Sequence, residues 1–361
     1  MKATEQLHEA GQSLWLDNIR RDLLTTGTLA GYIDDLSVTG LTSNPTIFDK
    51  AIKGSADYDA DIRKLLGDGK DEEAIFFDLA LDDICGAADL FRPIWERTSG
   101  GDGYVSLEVS PRLANDTETT IKEAKALFAR ADRPNLLIKV PGTPEGNVAV
   151  EELIASGVNV NVTLLFSREQ YQASAEAYLR GLERRREAGE ELKVGSVASV
   201  FISRWDVASV KDLSDDLKDR LGVAVGKQTY AAYREVLASD RWQSLANDGA
   251  LPQRLLWAST GTKDPDLPDT YYIEALASPH TVNTMPEGTL KAFGDHGTVG
   301  DMLPADGGDA EEVLAEMAAE GIDKAALAAE LQVDGAKKFD DSWDELLACI
   351  KGKGQELAKA S

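Results

Sequence analysis

Eight short apolar runs, each ended by turn residues and separated from the next by helical sequence, constrain this chain more than any other feature. They are SLWLDNI (13–19), SVTGLTSNP (37–45), GYVSLEVS (103–110), NLLIKVPG (135–142), GVNVNVTLLFS (157–167), KVGSVASVFIS (193–203), RLLWAST (254–260) and HTVNTM (280–285). Strands joined through helices pair in parallel, and eight such units predict an α/β fold of the (β/α)8 TIM-barrel type. The helical gaps at 46–102 and 204–250 are long enough for additional helices. In NDTETTIKEAKALFARAD, Asn115 and Glu118 stand at capping-box spacing before an amphipathic helix. No Gly-rich loop follows any strand, which weakens a dinucleotide-binding sheet. The reading is one barrel domain over 1–361, with 305–361 as a helical C-terminal extension packed on it.

Composition narrows the partners. The 361 residues carry a net charge of −25, which argues against nucleic acid or an anionic membrane surface. No run of 18 apolar residues and no signal-peptide pattern is present. Two distant cysteines and three scattered histidines offer no metal-ligand spacing. A cytoplasmic, metal-independent protein is expected.

Side chains alternate between the two faces of a strand, so the inward set can be read by parity. Val158, Val160, Val162 and Leu164 oppose Asn159, Asn161, Thr163 and Leu165; Ser106 and Glu108 share a face, as do Val197, Ser199 and Phe201. Leu136, Ile138 and Val140 oppose Lys139. Were the sheet antiparallel, one wet face would explain this polarity, but the helical crossovers argue otherwise. In a barrel the polar parity points inward, and its C-terminal end forms the site.

Lys139 then matters most. A lone lysine in an apolar run is commonly an ion-paired strand-end residue, and Glu108 could simply neutralise it. Burial, however, disfavours an ammonium group, and a neutral amine attacks carbonyls to form a Schiff base. The resulting iminium is an electron sink for C–C cleavage. Such chemistry needs an acid/base, for which Glu108 is the candidate.

GLTSNPTIF, VSLEVSPRLANDTE, LLIKVPGT, VNVNVTLLFS, VASVFISRWD and LLWASTGTKD, in this order and each at a strand end, together resemble the transaldolases, Schiff-base transferases of the pentose phosphate pathway. The resemblance runs from about residue 13 to 286. It implies Lys139 as the Schiff-base lysine, Glu108 as acid/base through a water that Thr163 helps hold, and Asp17 as the base for the C4 hydroxyl. It implies Asn44 and Asn161 on the sugar hydroxyls, with Ser199 lining the substrate. Arg204 and Ser259 would bind the phosphate, with Lys263 where the family's best-known pattern has a second arginine. Phe201 replaces the tyrosine common in the short fructose 6-phosphate aldolases and favours transfer over release.

The implied reaction moves a dihydroxyacetone unit from sedoheptulose 7-phosphate to glyceraldehyde 3-phosphate, without cofactor or metal. Sugar phosphates are the expected partners, and a homodimer is an assembly common in the family. A fructose 6-phosphate-type aldolase and a catalytically silent sugar-phosphate-binding barrel remain the alternatives.

Overall fold

In the computed structural model, which describes residues 1–359, all eight apolar runs form strands: β1 (Ser13–Asp17), β2 (Val38–Thr42), β3 (Val105–Glu108), β4 (Leu136–Pro141), β5 (Val160–Leu165), β6 (Ser196–Phe201), β7 (Gln253–Ala258) and β8 (Val282–Met285). They pair in parallel in chain order, and β8 returns to β1 to close the barrel.

The chain turns from strand to helix through short capped junctions, which is what fixes the strands' C-terminal ends. After β2, Asn44 accepts a hydrogen bond from the Ile47 N–H, with Pro45 in the first turn. After β4, Thr143 caps the helix Pro144–Ala155 in the same way, and after β5 Ser167 caps Arg168–Glu187. The helix Thr117–Ala131 departs from expectation. Its cap is Asp116, whose Oδ1 accepts from the Thr119 N–H at 3.0 Å, and not Asn115. Either residue type caps well, so the neighbouring carboxylate competes on equal terms.

Parity holds on β4. Leu136, Ile138 and Val140 join the apolar layer beneath the helices, while Leu137 belongs to the barrel interior. On β5 it fails at one point. Leu164 adopts a left-handed backbone (φ 59°), and the register with β6 shifts between Val162 and Leu165. Leu164 therefore turns inward with Phe166 and Phe201, and Leu165 joins the helix-facing layer, the reverse of their expected faces.

The barrel floor is a polar plug. Trp15 Nε1 donates to Asp102 Oδ1 at 2.9 Å, Ser13 Oγ donates to Asp102 Oδ2, and an Arg254 N–H donates to Ser13 Oγ at 2.7 Å. Satisfying these groups lets charged side chains occupy the interior at low cost.

The long gaps hold the expected helices, including Glu72–Arg97 in the first and Leu221–Ala238 in the second. The chain ends in the 36-residue helix Lys324–Lys359, which buries Leu331, Gly335, Phe339, Trp343, Leu346 and Ile350 along one seam. This terminal helix packs on the helix Pro45–Gly54 and reaches β5. Among the described residues, no helix is long and apolar enough to cross a membrane.

Candidate active site

Lys139 and Glu108 are direct register partners on β4 and β3, because the two strands pair without a bulge. Both are almost wholly buried, at 5% and 4% exposure. Lys139 Nζ lies 3.3 Å from Glu108 Oε2, close enough for an ion pair but not aligned as a hydrogen bond. Its hydrogen bond goes to the Ser43 carbonyl oxygen at 3.2 Å. Burial pushes the Glu108 carboxyl up to about 7; Lys139 pulls it down, and Asp17 adds to the rise. A carboxyl so placed exchanges its proton near neutrality, as acid/base work requires.

Asp17 ends β1. Its Oδ1 accepts from Thr42 Oγ1 at 2.7 Å, and the same hydroxyl contacts Thr284 Oγ1 at 2.6 Å, so β2 and β8 together orient the carboxylate. The residue is partly exposed to the cavity, yet its carboxylate sits deep among protein atoms. Desolvation raises its pKa, against the opposing pull of Lys139, Thr42 and Lys263.

A cavity of about 630 Å³ opens at the strands' C-terminal ends. It is lined by nine of the eleven expected site residues: Asp17, Asn44, Lys139, Thr163, Ser199, Phe201, Arg204, Ser259 and Lys263. Glu108 stands behind Lys139. Asn161 is also set back: its Nδ2 donates to Ser106 Oγ at 3.1 Å and its Oδ1 accepts from Ser199 Oγ at 2.7 Å. Its amide thus holds Ser199, the residue that does line the wall.

Neither the Glu108 oxygens nor Thr163 Oγ1, all buried, have a hydrogen-bond partner among the described protein groups. Buried polar atoms are ordinarily satisfied, so these belong to a site built for water or substrate oxygens. Asn44 spends its carbonyl oxygen on the Ile47 cap, which leaves the amide hydrogens for a ligand.

One side of the mouth is suited to an anion. Arg204 stacks near the Phe201 ring, its carbon 5.8 Å from the centroid, and makes no hydrogen bond or ion pair with a described residue. Desolvation lowers its pKa, with Asp334 opposing, and a part-buried unpaired guanidinium favours an anionic ligand. Beside it, Ser259 holds a left-handed backbone (φ 56°) and exchanges a 2.9 Å hydrogen bond with Ser203 Oγ. Such strain in a non-glycine residue clusters at ligand sites.

Some lining residues escaped the sequence reading. Thr42 and Thr284 lie on the inward parity of their strands, and counting along SVTGLTS and HTVNTM could have found them. Arg20, Asn18 and Glu287 form a rim network, with Asn18 Nδ2 donating to Glu287 Oε2 at 3.0 Å and Arg20 at 3.2 Å. Phe339 comes from the terminal helix, where its helical spacing looks like ordinary packing. Among the described residues, no group of His, Cys, Asp and Glu is arranged to hold a metal ion.

The family model described as Transaldolase/Fructose-6-phosphate aldolase matches residues 14–350. A transaldolase of Saccharopolyspora erythraea is 46% identical over 354 residues, covering 96% of both chains. Transaldolases of Mycobacterium bovis and Acidothermus cellulolyticus are each 47% identical, covering 94% and 96% of this chain, and 94% and 95% of their own.

Proposed function

The chain belongs to the transaldolase/fructose-6-phosphate aldolase family, and we propose on that premise that it is a transaldolase working through a Schiff base on Lys139. The observation that carries this reading is the buried Lys139–Glu108 pair at 3.3 Å, opening on a cavity with Asp17 on one side and the unpaired Arg204 on another. The donor is sedoheptulose 7-phosphate and the acceptor glyceraldehyde 3-phosphate; erythrose 4-phosphate and fructose 6-phosphate are the products.

Lys139 Nζ attacks the donor's C2 carbonyl. Glu108, with its proton affinity near neutrality, gives and takes the protons of carbinolamine formation and dehydration through a water held by Thr163. Asp17 then takes the proton of the C4 hydroxyl. The C3–C4 bond breaks, its electron pair moves into the iminium, and erythrose 4-phosphate leaves an enamine on Lys139. The acceptor aldehyde enters, the enamine carbon attacks it, and Asp17 returns the proton. Hydrolysis of the new iminium frees fructose 6-phosphate and the amine.

Arg204, Ser259 and Lys263 hold the phosphate that donor, acceptor and products each carry, which orients the aldose portion toward Lys139. Asn44 meets the dihydroxyacetone hydroxyls, and Asn161 acts on them through Ser199.

Borohydride reduction in the presence of fructose 6-phosphate, followed by peptide mapping, tests the reading. An adduct on Lys139 is expected, together with loss of adduct and transfer activity in Lys139→Arg. An active Lys139→Arg variant would sink the mechanism.

A further inference from the structure

Phe339, from the far end of the sequence, is buried against the reacting nitrogen. Its ring centroid lies 5.3 Å from Lys139 Nζ, it lines the cavity, and only 7% of it is exposed. The terminal helix that carries it is fastened around the mouth. Gln332 Nε2 donates to the carbonyl oxygens of Gly142 (3.1 Å) and Leu164 (2.9 Å), which follow Lys139 on β4 and Thr163 on β5. Thr46 Oγ1 donates to Ser342 Oγ at 2.8 Å beyond β2, and Arg112 pairs with Asp344 beyond β3. Gly335 packs on Leu164, where an added Cβ would come within 3.0 Å of Leu164 Cδ2. Four strand ends thus hold this helix in place, and Phe339 is the apolar side chain it sets over the lysine.

We propose that Phe339 is a specificity-determining residue that keeps water from the Lys139 enamine and so commits the site to transfer rather than release. This rests on the Schiff-base reading of Lys139. Between departure of the first aldose phosphate and arrival of the second, the enamine occupies an open cavity. If its nucleophilic carbon takes a proton from water, hydroxide and the iminium of dihydroxyacetone result. Hydroxide adds to the iminium carbon, the C–N bond breaks, and free dihydroxyacetone and the Lys139 amine are formed, with one water consumed overall. An aromatic wall at the nitrogen excludes that water.

The test compares Phe339→Ala, Phe339→Leu and Val333→Ala, the last an exposed position on the same helix. The readout is the ratio of free dihydroxyacetone released to unit transferred, with borohydride trapping on Lys139 run in parallel. Phe339→Ala should raise the ratio at least about fivefold, Phe339→Leu should raise it less, and Val333→Ala should leave it unchanged. Trapping should persist throughout. A merely structural Phe339 would lower transfer and release together at constant ratio, and that result overturns the proposal. So does an equal rise in Val333→Ala. Loss of trapping in the unsubstituted protein would instead strike the Schiff-base reading itself.

Discussion

Glu108 and Lys139 face each other as register partners on adjacent strands, and their charged atoms approach to 3.3 Å inside the barrel. The carboxyl is nevertheless pushed up to about 7, from 4.5, because burial outweighs the attraction of the lysine. Between those two values the folded protein holds a proton that the unfolded chain has released. Glu108 therefore contributes most to stability at the acid end of this window, and the contribution is lost as pH rises through 7. Glu108→Gln cannot titrate, so its melting temperature relative to the parent should rise by ~3 °C or more from pH 5 to pH 8. Thermal melts at both values decide it; a difference that stays constant from pH 5 to pH 8 would mean Glu108 is already ionised in the folded protein well below neutrality. Turnover of the variant should drop by about 10²- to 10⁴-fold.

In the proposed mechanism Asp17 acts one step later than Lys139, so the two should separate experimentally. Asp17→Asn keeps an oxygen for the Thr42 hydroxyl but cannot take the C4 proton. The borohydride adduct on Lys139 should still form. C–C cleavage should slow by roughly 10²- to 10⁴-fold. Loss of the adduct at an unchanged melting temperature would reassign Asp17 to Schiff-base formation.

Arg204 predicts a dependence on phosphate. Removing a charged donor from a desolvated site costs about 1.5–3 kcal/mol, so Arg204→Ala should lose roughly 10- to 100-fold in kcat/KM with phosphorylated substrates. Lys263→Ala should lose less, as a lysine is a point charge without the bidentate fork. An acceptor without phosphate, such as glyceraldehyde, should react equally well with Arg204→Ala and the parent. A comparable loss with that acceptor would place Arg204 in the architecture of the mouth instead.

Alternation made much of this site legible before any coordinates. An inward lysine beside an inward glutamate is a matter of parity once a barrel is assumed, and the β3–β4 register pairs them. Leu164 and Leu165 defeated the same rule because a left-handed residue reverses the faces, and nothing in LLFS marks it. Asn161 had the correct parity, but depth along the barrel axis decides whether a side chain reaches the cavity, and depth follows from strand stagger. Phe339 could not be recognised, since a helix seam looks the same over a core and over an active site. Asp102 follows a long helix in a glycine-rich turn, where only tertiary contact reveals its partners Ser13 and Trp15.

Beneath the site, Trp15 spans the barrel floor, and it fits because position 40 has no side chain. A Cβ at Gly40 would lie 2.5 Å from Trp15 Cε2 and 2.7 Å from the Tyr104 carbonyl oxygen. Trp15 cannot easily retreat, since Asp102 holds its indole N–H. Gly40→Ala should therefore cost about 1–3 kcal/mol through overpacking, a fall in melting temperature of roughly 1–4 °C. Gly31 supplies the contrast: it lies within the helix Thr28–Leu36, and nothing stands within 4 Å of an added Cβ. Gly31→Ala should be neutral or stabilising by up to ~1 kcal/mol, because alanine loses less conformational freedom on entering a helix. Thermal melts of the two variants side by side test the floor. Equal stability of Gly40→Ala and the parent would mean that Trp15 has room to move, and that the plug does not fix the strands carrying Asp17 and Thr42.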